Sequence, residues 1–254
     1  MNPGYLTGSL SVPHAFFTRQ GGVSSGAFAS LNCSLSSPDD PEAVRRNRAA
    51  AAAVLGGGPG DLLGLYQVHG VAVADGRQPW DDGSRPRADA VVTDRPGQVL
   101  SVVTADCAPV LFADAEAGVV AAAHAGWRGA VAGVLEATLD AMEALGANRA
   151  RIAALVGPCI GQASYEVGPD LREEVLAHDA ADARFFADGA RQDRWQFDLA
   201  GYCVARLAAA GAGESRALMV DTLAAEDRFF SHRRRTLAGG GPIGHQLSAI
   251  ALPR

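Results

Sequence analysis

Between Val99 and His124, three apolar runs (Val99–Thr104, Val110–Ala113 and Gly118–Ala123) follow one another with connections too short to hold a crossover helix. Parallel neighbours need a dozen or more residues to cross over, so the stretch predicts an antiparallel meander. With Ala113 paired to Gly118 across the loop Asp114–Ala117, the same register sets Cys107 directly opposite His124. Directly opposed residues have Cα atoms roughly 4.5–5.5 Å apart. A thiol and an imidazole would then meet at one edge of the sheet.

Around this stretch the apolar periodicity predicts helices over Pro41–Leu55, with Asp39 or Asp40 as N-cap, and over Gly129–Leu145, closed by Gly146. Two more are expected over Pro169–Ala177 and Asp198–Ala210. Further strands are expected at Leu62–Val68, Ala88–Thr93, Arg151–Val156, Ala217–Val220 and His245–Ala251. Strands and helices interleave without a strict βαβ beat. The expected class is therefore α/β of the α+β type, a mixed and largely antiparallel sheet with helices packed on it. The glycine runs Gly56–Gly60 and Gly239–Gly241 read as surface loops, and no linker divides the chain, so residues 1–254 are expected to form a single domain.

Composition excludes several chemistries. All 22 cationic side chains are arginine. Without lysine there is no Schiff-base chemistry and no P-loop lysine. The commonplace cause of such usage is codon bias. A net charge of −6 argues against a broad nucleic-acid-binding face, although Arg233, Arg234 and Arg235 form a local cluster. The N-terminal residues lack a signal peptide's basic region and apolar core, and no stretch suits a membrane span, so a cytoplasmic protein is expected. Cys33, Cys107, Cys159 and Cys203 are too irregularly spaced for a disulfide framework and include no CxxC pair.

The Cys107–His124 pair has two chemical readings, a thiolate activated by histidine or two ligands of a metal; the plain reading is a satisfied histidine beside an inert thiol. His69, followed by glycine at the end of a strand-like run, would be a third ligand. Two histidines and a cysteine with an open fourth position are the catalytic arrangement of zinc, and also the ligand set of a blue-copper site.

Several blocks carry a resemblance. They are GlnValHisGly at 67–70, ThrAlaAspCysAlaProVal at 104–110, HisAlaGlyTrpArgGly at 124–129, GlyProCysIleGly with TyrGluValGly within 157–168, and PhePheSerHisArgArg at 229–234. Together with HisAlaPhePheThrArgGlnGlyGlyValSerSerGly from residue 14 and ValArgArgAsnArg in the first helix, they resemble the YfiH-like family. That family is often labelled laccase-domain or polyphenol oxidase and is now read as purine nucleoside phosphorylases, with a fold compared to cytotoxic necrotizing factors. The resemblance covers nearly the whole chain in order. It implies zinc on His69, Cys107 and His124, with copper as the second possible metal. It also implies phosphorolysis of adenosine and inosine to ribose 1-phosphate and free base, cleavage of methylthioadenosine, and hydrolytic deamination of adenosine.

Glycosidic cleavage builds positive charge on the ribose and negative charge on the purine, so the site needs an anion against the sugar and a proton or Lewis acid near the base. With no lysine present, phosphate must be met by arginines and backbone N–H groups. Arg48 and Asn47 in the first helix and Arg19 before a glycine-rich loop are the candidates. Deamination also needs a carboxylate to carry a proton, and Asp106 is nearest in sequence, although strand alternation would point it away from Cys107. Trp127 is either a platform for the purine or a buried tryptophan behind the metal.

An oxidase is disfavoured by the count, since only His14, His178, His232 and His245 remain for a second copper cluster and no HisXHis pair exists. A metal-free Cys–His hydrolase and a non-enzymatic binding module compete with the phosphorylase as well. The expected partners are nucleosides and inorganic phosphate, with no nucleic acid or membrane, and the expected state is a monomer or weak homo-oligomer. Where the family leads one to expect tyrosine before the ArgArg pair and arginine near the last strand, this sequence has His232 and His245.

Overall fold

The computed structural model describes residues 1–254. Its strands are β1 (Tyr5–Leu6), β2 (His14–Phe17), β3 (Leu62–Leu63), β4 (Val73–Asp75), β5 (Ala90–Thr93), β6 (Val99–Thr104), β7 (Ala108–Asp114), β8 (Val119–Ala125), β9 (Ala153–Val156), β10 (Glu166–Val167), β11 (Phe186–Asp188), β12 (Trp195–Phe197), β13 (Glu214–Ala217) and β14 (Gln246–Ala251). The helices are α1 (Pro41–Val54), α2 (Trp127–Ala132), α3 (Val134–Ala144), α4 (Pro169–His178), α5 (Leu199–Ala209) and α6 (His232–Leu237).

Two mixed, mostly antiparallel sheets dominate, ordered β1-β2-β14-β6-β3 and β13-β9-β7-β8-β5-β4, with a small sheet β10-β12-β11 beside them. Alternation along each strand divides the apolar side chains between two faces. Phe16, Leu100, Val102 and Ile250 of the five-stranded sheet meet Val91, Leu111, Val120 and Leu155 of the six-stranded sheet in one buried layer. The opposite face of the six-stranded sheet, carrying Val110, Phe112 and Ala121, is covered by Leu135 and Leu139 of α3 and Tyr202 of α5. The opposite face of the other sheet is covered by Ala51 and Ala52 of α1. The architecture is thus helix, sheet, sheet, helix, and each fully buried Leu, Val or Phe in it contributes about 1.5–3 kcal/mol. No helix is long and apolar enough to cross a membrane.

The predicted meander holds for its second half only. β7 and β8 pair as a hairpin, but β6 pairs with β14 and β3 in the other sheet. Non-local partners take both edges of β6, and Asp106, at φ 91°, turns the chain from one sheet into the other. The hairpin register also differs, because Asp114 pairs with Val119 and Ala113 with Val120. The Asp114 carboxylate caps the amides of Glu116 and Ala117, and Gly118 is spent on the left-handed turn residue (φ 66°). The shift is two residues, so every side chain keeps its face, but Pro109 stands opposite His124 and Cys107 lies just before the strand.

Other boundaries move for local reasons. The helix expected over Gly129–Leu145 is two helices, divided at Gly133, whose φ of 104° breaks the run. Asp40 is the N-cap of α1, its side chain accepting from Glu42 N. The strand expected over Leu62–Val68 forms only at Leu62–Leu63, with one isolated bridge from Tyr66 to Arg87, and the strand near 217–220 lies earlier, at Glu214–Ala217.

Candidate metal centre and active site

The last apolar turns between the two sheets give way to His124 and Thr104, at the carboxyl ends of β8 and β6, where the chain also crosses between sheets at Asp106–Cys107. The approach of His69 is built from the sequence GlnValHisGly. Gln67 uses both ends of its amide, donating to Val103 O (2.8 Å) and accepting from Val103 N (2.8 Å), so a side chain continues the edge of β6 where β3 has ended. The next three amides, Val68 N, His69 N and Gly70 N, all donate to the buried carboxylate of Asp89 at 3.1, 2.9 and 2.7 Å. This curl holds His69 at φ 60°, a conformation that costs about 1 kcal/mol or more and is maintained by the surrounding bonds.

Asp89 also accepts from His124 Nδ1 at 2.8 Å. A carboxylate only accepts, so Nδ1 carries the proton and His124 Nε2 is left as a lone-pair donor. The His69 Nε2 lies 3.9 Å from Cys107 Sγ, and the ligand atoms of His69, Cys107 and His124 all lie within 4.8 Å of one another. Bonds of about 2.0–2.3 Å in a tetrahedral zinc site would set these atoms roughly 3.3–3.8 Å apart. The trio therefore fits such an ion with a small inward movement, and its donors suit zinc or copper. Gly126 makes room for it. A Cβ there would stand 2.8 Å from His69 Cδ2 and 3.1 Å from Cys107 Sγ.

Burial alone would raise the Cys107 thiol, but the charge and hydrogen bonds of His124 and His69 pull it down to about 6. For His124 burial acts downward, and the Cys107 thiolate and Asp89 outweigh it, raising the imidazole to about 9. Between those two values the metal-free pair favours a thiolate beside an imidazolium, and His124 Nε2 gives up its proton on ligating a metal. By contrast burial pushes Cys33 and Cys203 up to about 12 and Cys159 well above its ordinary value, as inert thiols.

The trio opens into a cavity of about 490 Å³, a size suited to a small organic ligand. Trp127, Ile160 and Tyr165 give it an aromatic and apolar wall. Trp127 is half-buried, with the Arg128 guanidinium 4.4 Å from its ring. On the α1 side, Arg48 lies buried in the lining, beside the half-buried Arg85. Its hydrogen bonds are long: 3.4 Å to Cys33 O, 3.5 Å to Leu62 O and 3.3 Å to Asp82 Oδ1. A buried guanidinium this loosely held keeps capacity for an anion.

The remaining sequence candidates are engaged elsewhere. Asn47 donates to Ser24 Oγ, Ser30 O and Asn32 O and accepts from Val23 N, so its amide is consumed in holding the 22–32 loop. Arg19 binds Ala29 O at 2.7 Å, stacks on Phe230 and borders a separate shallow surface depression. Asp106 borders the main cavity, but its carboxylate accepts from Thr222 Oγ1, Ser231 Oγ and Arg233 N. It fastens the start of α6, with Oδ2 holding two donors and Oδ1 one. His232 and His245 both line the cavity. Sequence reasoning missed Asp89 and Arg85. For Asp89 a signal was present, a carboxylate inside the apolar run Ala88–Thr93 where an unpaired charge would be untenable.

Comparison with known proteins bears on what this arrangement does. A family model described as multi-copper polyphenol oxidoreductase laccase matches residues 13–253. A purine nucleoside phosphorylase of Deinococcus radiodurans is 43% identical over 249 residues, covering 97% of this chain and 91% of that protein. The purine nucleoside phosphorylase YfiH of Escherichia coli is 40% identical over 225 residues, covering 87% of this chain and 88% of that protein. Among solved structures, a Neisseria meningitidis protein of the DUF152 family superposes with a TM-score of 0.88 at 35% identity, covering 98% of this chain and 99% of the other. The Bacillus licheniformis YfiH structure gives 0.85 at 29%, covering 95% and 92%.

Proposed function

This chain belongs to the multi-copper polyphenol oxidoreductase laccase family, and from that membership and the names of its relatives we propose that it is a zinc-dependent purine nucleoside phosphorylase. Its substrates would be adenosine, inosine and methylthioadenosine, with adenosine deamination as a side activity, and residues 1–254 would act as one catalytic domain. The observation that carries the reading is a single cavity that joins a three-ligand site of His69, Cys107 and His124 to a buried, loosely bonded Arg48.

Arg48 would hold phosphate against the sugar, with Arg85 adding charge from the same lining. Trp127 and Tyr165 would bound the purine. Zinc held by His69, Cys107 and His124 would supply a Lewis acid beside the departing base and acidify water for deamination. Asp89 orients His124 and the His69 loop together, and Asp106 positions α6. Asp106 is the only carboxylate lining the cavity and three donors already hold it, which supports assigning deamination as the side activity.

Two competing readings each have an observation in their favour. The family description names copper oxidation, yet the chain offers one cluster of three or more potential ligands. Met219 is exposed in a loop and Met142 is buried within α3, so neither is placed as an axial ligand. The lowered Cys107 thiol favours a metal-free hydrolase, which would keep its activity after chelation. Protein stripped of metal and reloaded with zinc alone should phosphorolyse adenosine under nitrogen. Turnover that requires copper and oxygen, or that survives chelation, would overturn the proposal.

A further inference from the structure

Tyr165 lines the cavity into which the His69, Cys107 and His124 trio opens. Its hydroxyl has no hydrogen-bond partner within the protein, and unlike that of Thr104 it is not sealed away, so a ligand in the cavity can reach it. Other neutral groups of the lining are already spent on the backbone. Gln67 holds both backbone groups of Val103, and Ser101 Oγ donates to Leu63 O.

A short chain of contacts ties the Tyr165 ring to the candidate metal ligands. Asp106, next to Cys107, accepts from Arg233 N at 2.6 Å. The Arg233 guanidinium lies over the Tyr165 ring, 5.5 Å from its centroid, and both of its terminal nitrogens donate to Glu166 O at 2.9 Å. Phe197 packs 6.1 Å from the same ring, and its N–H donates to Tyr165 O at 3.0 Å. The charges that act on the hydroxyl agree with this placement. Burial, then Cys107 and Asp106, push it above its ordinary value, while Arg233 and Arg128 pull against them. The phenol keeps its proton and acts as a neutral donor beside Cys107.

A purine leaving ribose takes the electron pair of the C1′–N9 bond, and conjugation through the five-membered ring shares that charge with N7. A donor at N7 bonds more strongly as the glycosidic bond breaks, which is the kind of contact that lowers a barrier. We propose that the Tyr165 hydroxyl donates a hydrogen bond to N7 of the departing purine and stabilises the charge that develops there. The proposal rests on the phosphorylase reading for its substrate, and deepens it. A phosphate oxygen forms the new bond to C1′, Tyr165 keeps its proton, and the proton that hydrogen phosphate loses on becoming an ester ends on the departed purine. N7 is an acceptor in 6-amino and 6-oxo purines alike, so the contact serves adenosine and inosine without choosing between them.

Tyr165→Phe deletes the hydroxyl and keeps the ring beside Arg233. Because the hydroxyl bonds nothing in the protein, the urea midpoint should not move. On zinc-loaded protein kcat/KM for adenosine should fall about 10- to 100-fold, mostly through kcat. Calorimetry with adenine and 7-deazaadenine, in which a carbon replaces N7, reads the contact without turnover. We expect the wild type to bind adenine at least about 3-fold more tightly than 7-deazaadenine, and the Phe variant to bind the two alike. Undiminished kcat/KM in Tyr165→Phe, or a preference for adenine that the variant keeps, would overturn the proposal. So would a lowered urea midpoint with equal weakening of both bases, which would make Tyr165 a structural residue.

A wild type that cleaves adenosine but binds both bases alike would refute the N7 contact and leave the phosphorylase standing. One that discriminates through Tyr165 yet cleaves no nucleoside would refute the phosphorylase and leave the contact standing.

Discussion

Replacing Asp89 by asparagine changes one atom and should disable the metal site. The carboxylate collects four donors, with Oδ1 accepting from His69 N and His124 Nδ1 and Oδ2 from Val68 N and Gly70 N. Whichever way an asparagine amide sits, its NH₂ group faces two N–H donors. Two charge-assisted bonds are lost, each contributing about 1.5–3 kcal/mol, so the cost is about 3–6 kcal/mol. That is a large share of the roughly 5–15 kcal/mol that holds a typical domain together. Because the same carboxylate orients His124 and shapes the loop carrying His69, zinc affinity should also fall about 10- to 100-fold.

Urea unfolding of the metal-free protein reads the first effect, and competition for zinc against a chromophoric chelator reads the second. Asp75→Asn is the control, because that carboxylate pairs with Arg77 at the surface, where ion pairs contribute little. An Asp89→Asn protein that binds zinc within twofold of the wild type and unfolds at the same urea concentration would refute the reasoning.

Two further outcomes follow from the geometry. In chelator-treated protein, Cys107 should be alkylated selectively with a midpoint near pH 6 and protected by added zinc, while Cys33 and Cys203 stay unreactive; a midpoint near 9 would contradict the pairing. The lowered thiol adds stability that is complete above its ordinary value near 9 and is lost as pH falls through about 6. The raised His124 adds stability that is complete below its ordinary value near 6.5 and is lost as pH rises through about 9. Urea midpoints of the metal-free protein should therefore be highest between these limits. Neighbours on α1 should separate cleanly: Arg48→Gln raises KM for phosphate about 10- to 100-fold, whereas Asn47→Ala costs about 2–4 kcal/mol of stability with that KM unchanged. Unaltered phosphate saturation in Arg48→Gln would remove Arg48 from the site.

The three candidate ligands, which the structure brings within 4.8 Å of one another, were named chiefly through the family resemblance, with local punctuation as a weaker signal. Glycine follows His69, a tight AlaAspCys turn precedes β7, and HisAlaGly ends β8. Strand spacing suggested the Cys107–His124 encounter, and the even register error left each face intact. What local pattern could not give was the division of β6 and β7 between two sheets, because β6 takes its partner β14 from over a hundred residues away. The phosphate candidates show the same limit. Arg48, Asn47 and Arg19 look alike as polar residues in a helix or loop, and only the tertiary structure reveals that Asn47 is fully bonded and Arg19 lies outside the cavity, whereas Arg48 lines it on long bonds.

The most direct test of a zinc-dependent phosphorylase is product analysis of adenosine incubated with the zinc-loaded protein, with and without inorganic phosphate. We predict adenine and ribose 1-phosphate only when phosphate is present, with inosine as a slower, phosphate-independent product. Adenosine left intact with phosphate, or inosine as the sole product under both conditions, would contradict that function.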